Sequence, residues 1–160
     1  MKRLKLYFDT SVISHLYAPD TPEKMADTLV LWNEIKANKY NVLISDITFE
    51  ELSRCSEPKK SVLNRYISEI EFENPVETNE SGELLLRYLH YKVLSEKNRD
   101  DLRHIALATV LTCDIIVSWN FKHFVNINTI NKVQAVNQLH GYPAIKILPP
   151  SMITGGNNDE

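Results

Sequence analysis

Glycine is scarce in this chain: four of 160 residues, Gly82, Gly141, Gly155 and Gly156. None opens a turn leading from a strand into a helix, so the phosphate-cradling loops of nucleotide-binding proteins are excluded. Apolar runs long enough to cross a bilayer are absent. Met1-Lys-Arg-Leu-Lys5 runs straight into an alternating stretch with no signal segment. The two cysteines, Cys55 and Cys113, lack metal-ligand spacing. They read as small, semi-buried, reduced side chains of a cytoplasmic protein. There is no positive excess either. The net charge of −3 argues against broad, non-specific wrapping of nucleic acid, yet leaves room for an enzyme with a local basic rim. No repeat or low-complexity linker interrupts the chain. Residues 1–150 are expected to form a single domain and 151–160 a flexible tail.

What is present is an alternation of short apolar strands and amphipathic helices. Lys2 to Phe8 reads as a first strand ending at Asp9-Thr-Ser11, followed by a short helical stretch from Val12 to Tyr17. Thr21 and Pro22 start a helix marked by Met25, Leu29, Trp32 and Ile35. Val42-Leu-Ile44 is a second strand, closed by Ser45-Asp46, and a helix carrying Glu50 and Glu51 follows. Pro58 opens another helix. Glu71 to Val76 is expected as an edge-like strand, and Thr78 or Asn79 caps a longer helix. Asp101 to Val110 reads as a helix burying Ile105, Ala108 and Thr109 on one face, with Leu102 and Val110 beside them. Ile115-Ile-Val117 has the uniform β-branched character of a central parallel strand, and Ser118 and Asn120 stand directly after it. Asn128 or Thr129 is expected to cap a helix closed by Gly141, and Ala144 to Leu148 forms a last strand. The pattern predicts an α/β fold: a central, mainly parallel sheet in a three-layer arrangement, flanked by helices.

Asp9, Asp101 and Asn120 fall at strand ends or facing helix starts, where open α/β sheets bind ligands. Glu50 and Glu51 arrive on the helix after the second strand. Each has an ordinary structural reading as well. Asp9 caps a helix, Asp101 favours a helix dipole, the glutamates form a solvated face, and Asn120 makes a turn. The joint pattern carries more. Carboxylates gathered at one sheet edge repel unless a cation lies among them, and all-oxygen ligands suit Mg²⁺ or Mn²⁺. Such a cation beside a crevice suits phosphodiester hydrolysis.

Four segments carry a resemblance to a known family: Leu6-Tyr-Phe-Asp-Thr-Ser11, Ser45-Asp-Ile-Thr-Phe-Glu-Glu-Leu52, Asp101-Leu-Arg-His-Ile-Ala-Leu-Ala108 and Ile116-Val-Ser-Trp-Asn-Phe-Lys-His-Phe124. Together they span nearly the whole chain, and the sequence resembles the PIN domain of VapC-type toxins. That resemblance implies a metal-dependent endoribonuclease, Mg²⁺ or Mn²⁺ as cofactor, an RNA substrate, an antitoxin protein partner and a homodimer. Carried over, Asp9, Glu51 and Asp101 fall on the family's acidic metal-site positions. Glu51 is preferred to Glu50 because the family's acid stands just before a leucine, and Asp101 to Asp100 because the apolar register fits. Asn120 stands where many members carry a further aspartate. It keeps a carbonyl ligand but loses a charge, so a second ion would bind more weakly.

Ser11 and Ser118 are supporting candidates that would hold the carboxylates or a water. His104 would touch substrate or orient the acid, although such a histidine more often packs. Arg54, Arg103, Lys122 and His123 are candidates for a basic substrate rim, whereas Lys59 and Lys60 read better as a solvated charged face. Trp119 reads as core or partner contact, with base stacking left open. Two rivals stand beside the nuclease. A PIN-like module with a weakened site, binding RNA or protein, is supported by Asn120 and the acidic charge. A haloacid-dehalogenase-type phosphatase needs a second aspartate where Ser11 stands, which disfavours it.

Overall fold

The computed structural model describes residues 2–154, and the part of the expected tail beyond residue 154 lies outside the described residues. Strands β1 (Leu4–Phe8), β2 (Tyr40–Leu43), β3 (Ile115–Val117) and β4 (Lys146–Leu148) form one sheet in the order β2-β1-β3-β4. All three pairings are parallel, with Tyr7 opposite Leu43 on one side and Ile116 on the other. The expected α/β architecture is therefore present. The chain leaves β1 toward β2 and later returns to β1's other edge as β3, which creates a topological switch point between β1 and β3.

Helices α1 (Thr10–Ser14), α2 (Pro22–Lys36) and α4 (Lys59–Ile67) cover one face. Helices α5 (Asn79–His90), α6 (Arg99–Val110) and α7 (Ile127–Leu139) cover the other. Strand alternation divides the core accordingly. Leu6, Phe8, Ile115 and Val117 pack with Ile13, Leu31 and Trp32. Tyr7 and Ile116 pack with Leu84, Tyr88, Ile105 and Val133. Helix α3 (Asp46–Leu52) lies at the carboxyl end of β2 and divides its contacts, Ile47 toward one cluster and Leu52 toward the other.

Three local expectations change. Glu71 to Val76 runs beside β2 but pairs only at Glu73, in a parallel bridge to Leu43, so it is not a strand. Its backbone still follows the edge: Ile44 N–H donates to Glu73 and Asp46 N–H to Pro75. The cap of α7 is Asn126, whose side chain accepts from Thr129 N–H at 2.9 Å, rather than Asn128 or Thr129. Helix α6 is buried all round from His104 to Thr109, not along one face. It lies under α5 and beside the site, so it has no solvent side over that length.

Glycine scarcity has a visible cost at the helix ends. Helices α2, α5, α6 and α7 close in the same way, with paired backbone bonds reaching back across the last turn. In α6 these are Thr112 N–H to Thr109 and Cys113 N–H to Ala108. The closing residue is left-handed in each: Asn38, Lys92, Thr112 and Gly141, with φ of 61°, 56°, 54° and 81°. Only the last is glycine, and a β-branched threonine is the least suited of the four. Thr112→Gly is expected to raise the unfolding free energy by about 0.5–1 kcal/mol, measured by urea titration. An unchanged or lowered midpoint would show that α6 does not carry this strain.

Candidate functional site

The switch point is where the acids meet. Asp9 leaves β1 with its backbone N–H bonded to Val117 of β3 at 3.2 Å, so its position is set by the sheet rather than by a loop. It is 4% exposed. Ser11 Oγ donates to one carboxylate oxygen at 2.6 Å and Ser118 Oγ to the other at 2.9 Å. Each hydroxyl also accepts a backbone N–H, Ser11 from Trp119 and Ser118 from Asn120, both at 2.9 Å. The two serines are thus oriented from behind and hold both Asp9 oxygens.

Glu51 comes from the end of α3. Its Oε1 accepts from Thr10 Oγ1 at 2.9 Å and from His104 Nε2 at 2.8 Å. His104 is 2% exposed, and its Nδ1 lies 2.7 Å from the Tyr7 hydroxyl, itself 2.7 Å from Ser45 Oγ. A buried run of hydrogen bonds therefore links Ser45, Tyr7, His104 and Glu51. As a carboxylate Glu51 can only accept, so Nε2–H donates to it; Nδ1 of a neutral ring then accepts from the Tyr7 hydroxyl, which leaves Tyr7 to accept from Ser45. Asp101, in the first turn of α6, receives His123 Nδ1 at 3.0 Å. Together Asp9, Thr10, Ser11, Ser14, Glu51, Asp101, His104 and Asn120 line one crevice of about 280 Å³.

The electrostatics of this crevice are unbalanced. Burial pushes the Asp9 carboxyl up to about 6; His104 and the two serine hydroxyls offset part of that, and Asp101 adds to it. Asp101 is likewise held above the usual carboxylate range, by burial first, and Glu51 reinforces the rise against the opposing pull of His123 and His104. Glu51 is different. Burial raises it, but the bond and charge of His104 and the Thr10 hydroxyl bring it below its ordinary value. Two of the three acids thus lack a sufficient positive partner, and their oxygen-only donor set is the kind that hard divalent cations take. Among the described residues no group of three such side chains converges to ligating distance. The donor chemistry fits a cation, and the acids stand hydrogen-bonded to the protein instead.

Of the residues singled out in the sequence, Asp9, Glu51, Asp101 and Asn120 share the crevice, with Ser11 and His104. Ser118 sits beneath them against Asp9. Glu50 and Asp100 point elsewhere, to Arg103 at 3.5 and 3.0 Å. The Asn120 carbonyl oxygen accepts from the backbone of Lys122 and His123 at 3.1 and 2.9 Å. It braces the loop, which argues against the carbonyl as a ligand. The basic rim does not assemble. Arg103 is tied to Glu77, Asp100 and Glu50, and the Glu77 hydrogen bond above all holds its charge fixed. His123 faces Asp101. Arg54 and Lys122 are exposed and do not line the crevice. Trp119 is core: it is 6% exposed and its Nε1 donates to Thr28 at 2.8 Å.

Sequence reasoning missed Tyr7, Ser45 and the part played by Thr10. A signal existed for Tyr7, since a tyrosine inside a buried parallel strand needs a polar partner. Nothing in the sequence named that partner.

The parallel α/β sheet and its flanking helices form a fold shared with solved structures. One is a chain from the crystal structure of VapBC2 of Rickettsia felis bound to a DNA fragment from its promoter. The similarity covers 91% of this chain and 98% of that one, with a TM-score of 0.57 and 17% identity. No family model and no curated protein sequence matches the chain. Among the described residues no helix is long and apolar enough to cross a membrane.

Proposed function

We propose that this protein is a metal-dependent endoribonuclease of the PIN type and the toxin of a toxin–antitoxin pair. The observation that carries the reading is the shared crevice: Asp9, Glu51 and Asp101, far apart in sequence, line one pocket, and for two of them burial outweighs the positive charge around them. Asp9, Glu51 and Asp101 would hold Mg²⁺ or Mn²⁺, which when bound supplies charge neutralisation at a phosphate and a more acidic water.

The chain's own residues do the rest. Ser11 and Ser118 fix both Asp9 oxygens, and the buried run from Ser45 fixes Glu51 through His104. Water in the crevice attacks the phosphorus in line as the P–O bond to the opposite ribose oxygen breaks; the water's proton passes to a crevice carboxylate and the leaving oxygen takes one from solvent. The Asn120 side chain keeps the loop above the site in place.

The likeness to a VapBC2 chain supports the toxin role and an antitoxin partner. A homodimer belongs to the same reading, and Leu86, Ile127 and Leu139 are apolar side chains that α5 and α7 leave exposed.

The test is cleavage of single-stranded RNA by the purified chain with Mn²⁺, with EDTA, and by Asp101→Asn. Cleavage should need the ion and fall at least a hundredfold in the variant. Full activity in EDTA or in Asp101→Asn would overturn the assignment. A second reading, a PIN-like RNA- or protein-binding module, is favoured by one observation: no three acids converge to ligating distance among the described residues. Calorimetry with Mn²⁺ separates the two, since a module with a dead site gives no binding heat.

A further inference from the structure

Beside the crevice, the loop after β3 builds an aromatic surface that the cleavage reading leaves unused. Asn120 lines the crevice and Phe121 follows it, 48% exposed. A single exposed ring is ordinary on a protein surface, and what sets this one apart is its surroundings. The ring does not stand alone. Its centroid lies 6.2 Å from that of Trp119, which lies 5.9 Å from the ring of His15.

His15 follows Ser14, another crevice residue, and its Nδ1–H donates to the Ser11 carbonyl at 2.7 Å. Lys24 Nζ stands 5.7 Å from the Trp119 centroid and 5.2 Å from that of Phe121. The platform is also rigid beneath its exposed ring. Trp119 is anchored through Thr28 of α2, and Asn120 holds the loop by two backbone bonds.

From this juxtaposition we infer that Phe121 is a base-stacking platform for single-stranded RNA entering the crevice, with Lys24 engaging the phosphate beside the stacked base. The inference rests on the ribonuclease reading above and adds the residues that would receive an unpaired base and its phosphate. A base in a duplex keeps its faces covered by its neighbours, whereas an unpaired base offers a free face to an exposed ring. Stacking does not depend on base identity, so this contact selects strandedness rather than sequence. One lysine supplies one phosphate contact, and so a salt dependence of defined size. An ordinary surface phenylalanine would have neither property.

The experiment uses the full chain and a short single-stranded RNA carrying 2-aminopurine, whose fluorescence falls when the base stacks. Binding is measured in EDTA and cleavage in Mn²⁺, with the same sequence as a duplex for comparison. The wild type should quench the probe and prefer the single strand. Phe121→Ala should weaken binding about tenfold and abolish the quenching, and Phe121→Trp should restore both. Lys24→Gln should lower the slope of log Kd against log salt by about one.

Unchanged quenching and affinity in Phe121→Ala, or tighter binding of the duplex by the wild type, would overturn the platform. If in that case the wild type still cleaves with Mn²⁺, the ribonuclease reading survives. If the wild type neither binds nor cleaves RNA, that reading falls and the platform with it. Mn²⁺ binding heat in Phe121→Ala equal to that of the wild type shows that the crevice itself is intact.

Discussion

Asp9→Asn is expected to do two opposite things: abolish cleavage, by at least a hundredfold, and make the metal-free protein more stable at neutral pH. The first follows from losing a carboxylate that both serines hold in place at the switch point. The second follows from its burial. The folded protein holds the Asp9 carboxyl up at about 6, against an ordinary value of 3.8. Above pH 6 the group is ionised in both states, and the folded state bears the full penalty of a buried, under-compensated charge. That penalty is at most about 3 kcal/mol at 1.36 kcal/mol per pH unit.

As pH falls from 6 toward 3.8, the folded protein takes up the proton before the unfolded one does, so the wild type gains stability. Below 3.8 both states are protonated and the difference is gone. The amide carries no charge at any pH, but it offers one serine a donor in place of an acceptor, which reduces the gain. About 1–2 kcal/mol in favour of Asp9→Asn at pH 8, shrinking to nothing near pH 4, is therefore expected in chemical denaturation. Saturating Mn²⁺ should stabilise the wild type and leave the variant unmoved. A variant less stable than the metal-free wild type at pH 8 would mean that Asp9 already has its counter-charge within the protein.

His104→Ala should have the largest effect on the fold of any substitution at the site. The ring is buried, packs against Tyr7 at 5.6 Å and Phe124 at 6.4 Å between centroids, and bonds both Tyr7 and Glu51. Its removal leaves a cavity, strips Glu51 of one of two partners and leaves the Tyr7 hydroxyl with Ser45 alone. The combined cost is about 2–4 kcal/mol, or roughly 5–15 °C in Tm.

Tyr7→Phe isolates the positioning role, because it nearly keeps the volume and removes only the hydroxyl, with its bonds to His104 and Ser45. It should lower kcat several-fold with KM near that of wild type, since the bound substrate is touched only through Glu51. A kcat equal to wild type would mean that the buried run serves packing alone.

The strands and helices were readable because their signals are local. β3 is three β-branched residues bounded by polar ones, and the Thr78 cap is completed by Ser81 in a reciprocal pair of bonds. The cap of α7 was misplaced because Asn126, Asn128 and Thr129 all qualify by type. The loop decides between them: Asn126 is the one whose amide also reaches back to Lys122. Glu71 to Val76 has strand-like composition, yet its pairing depends on how far the chain runs along β2, which composition does not encode.

The crevice acids were legible because each sits at an element's end that faces the same sheet edge. Arg103 was misread for the opposite reason. A basic residue three positions from a helix start looks free in sequence, but Glu50, Asp100 and Glu77 arrive around it only in space.

The central place of β1 has a consequence for the protein's synthesis. Its fifth residue leads into Asp9, but the partners on its second edge, and Asp101 and Ser118 with them, belong to the last two fifths of the chain. A ribosome therefore releases most of the polypeptide before any complete cluster of acids can exist. Unfinished chains therefore hold Asp9 without the residues that, in the finished fold, gather around it.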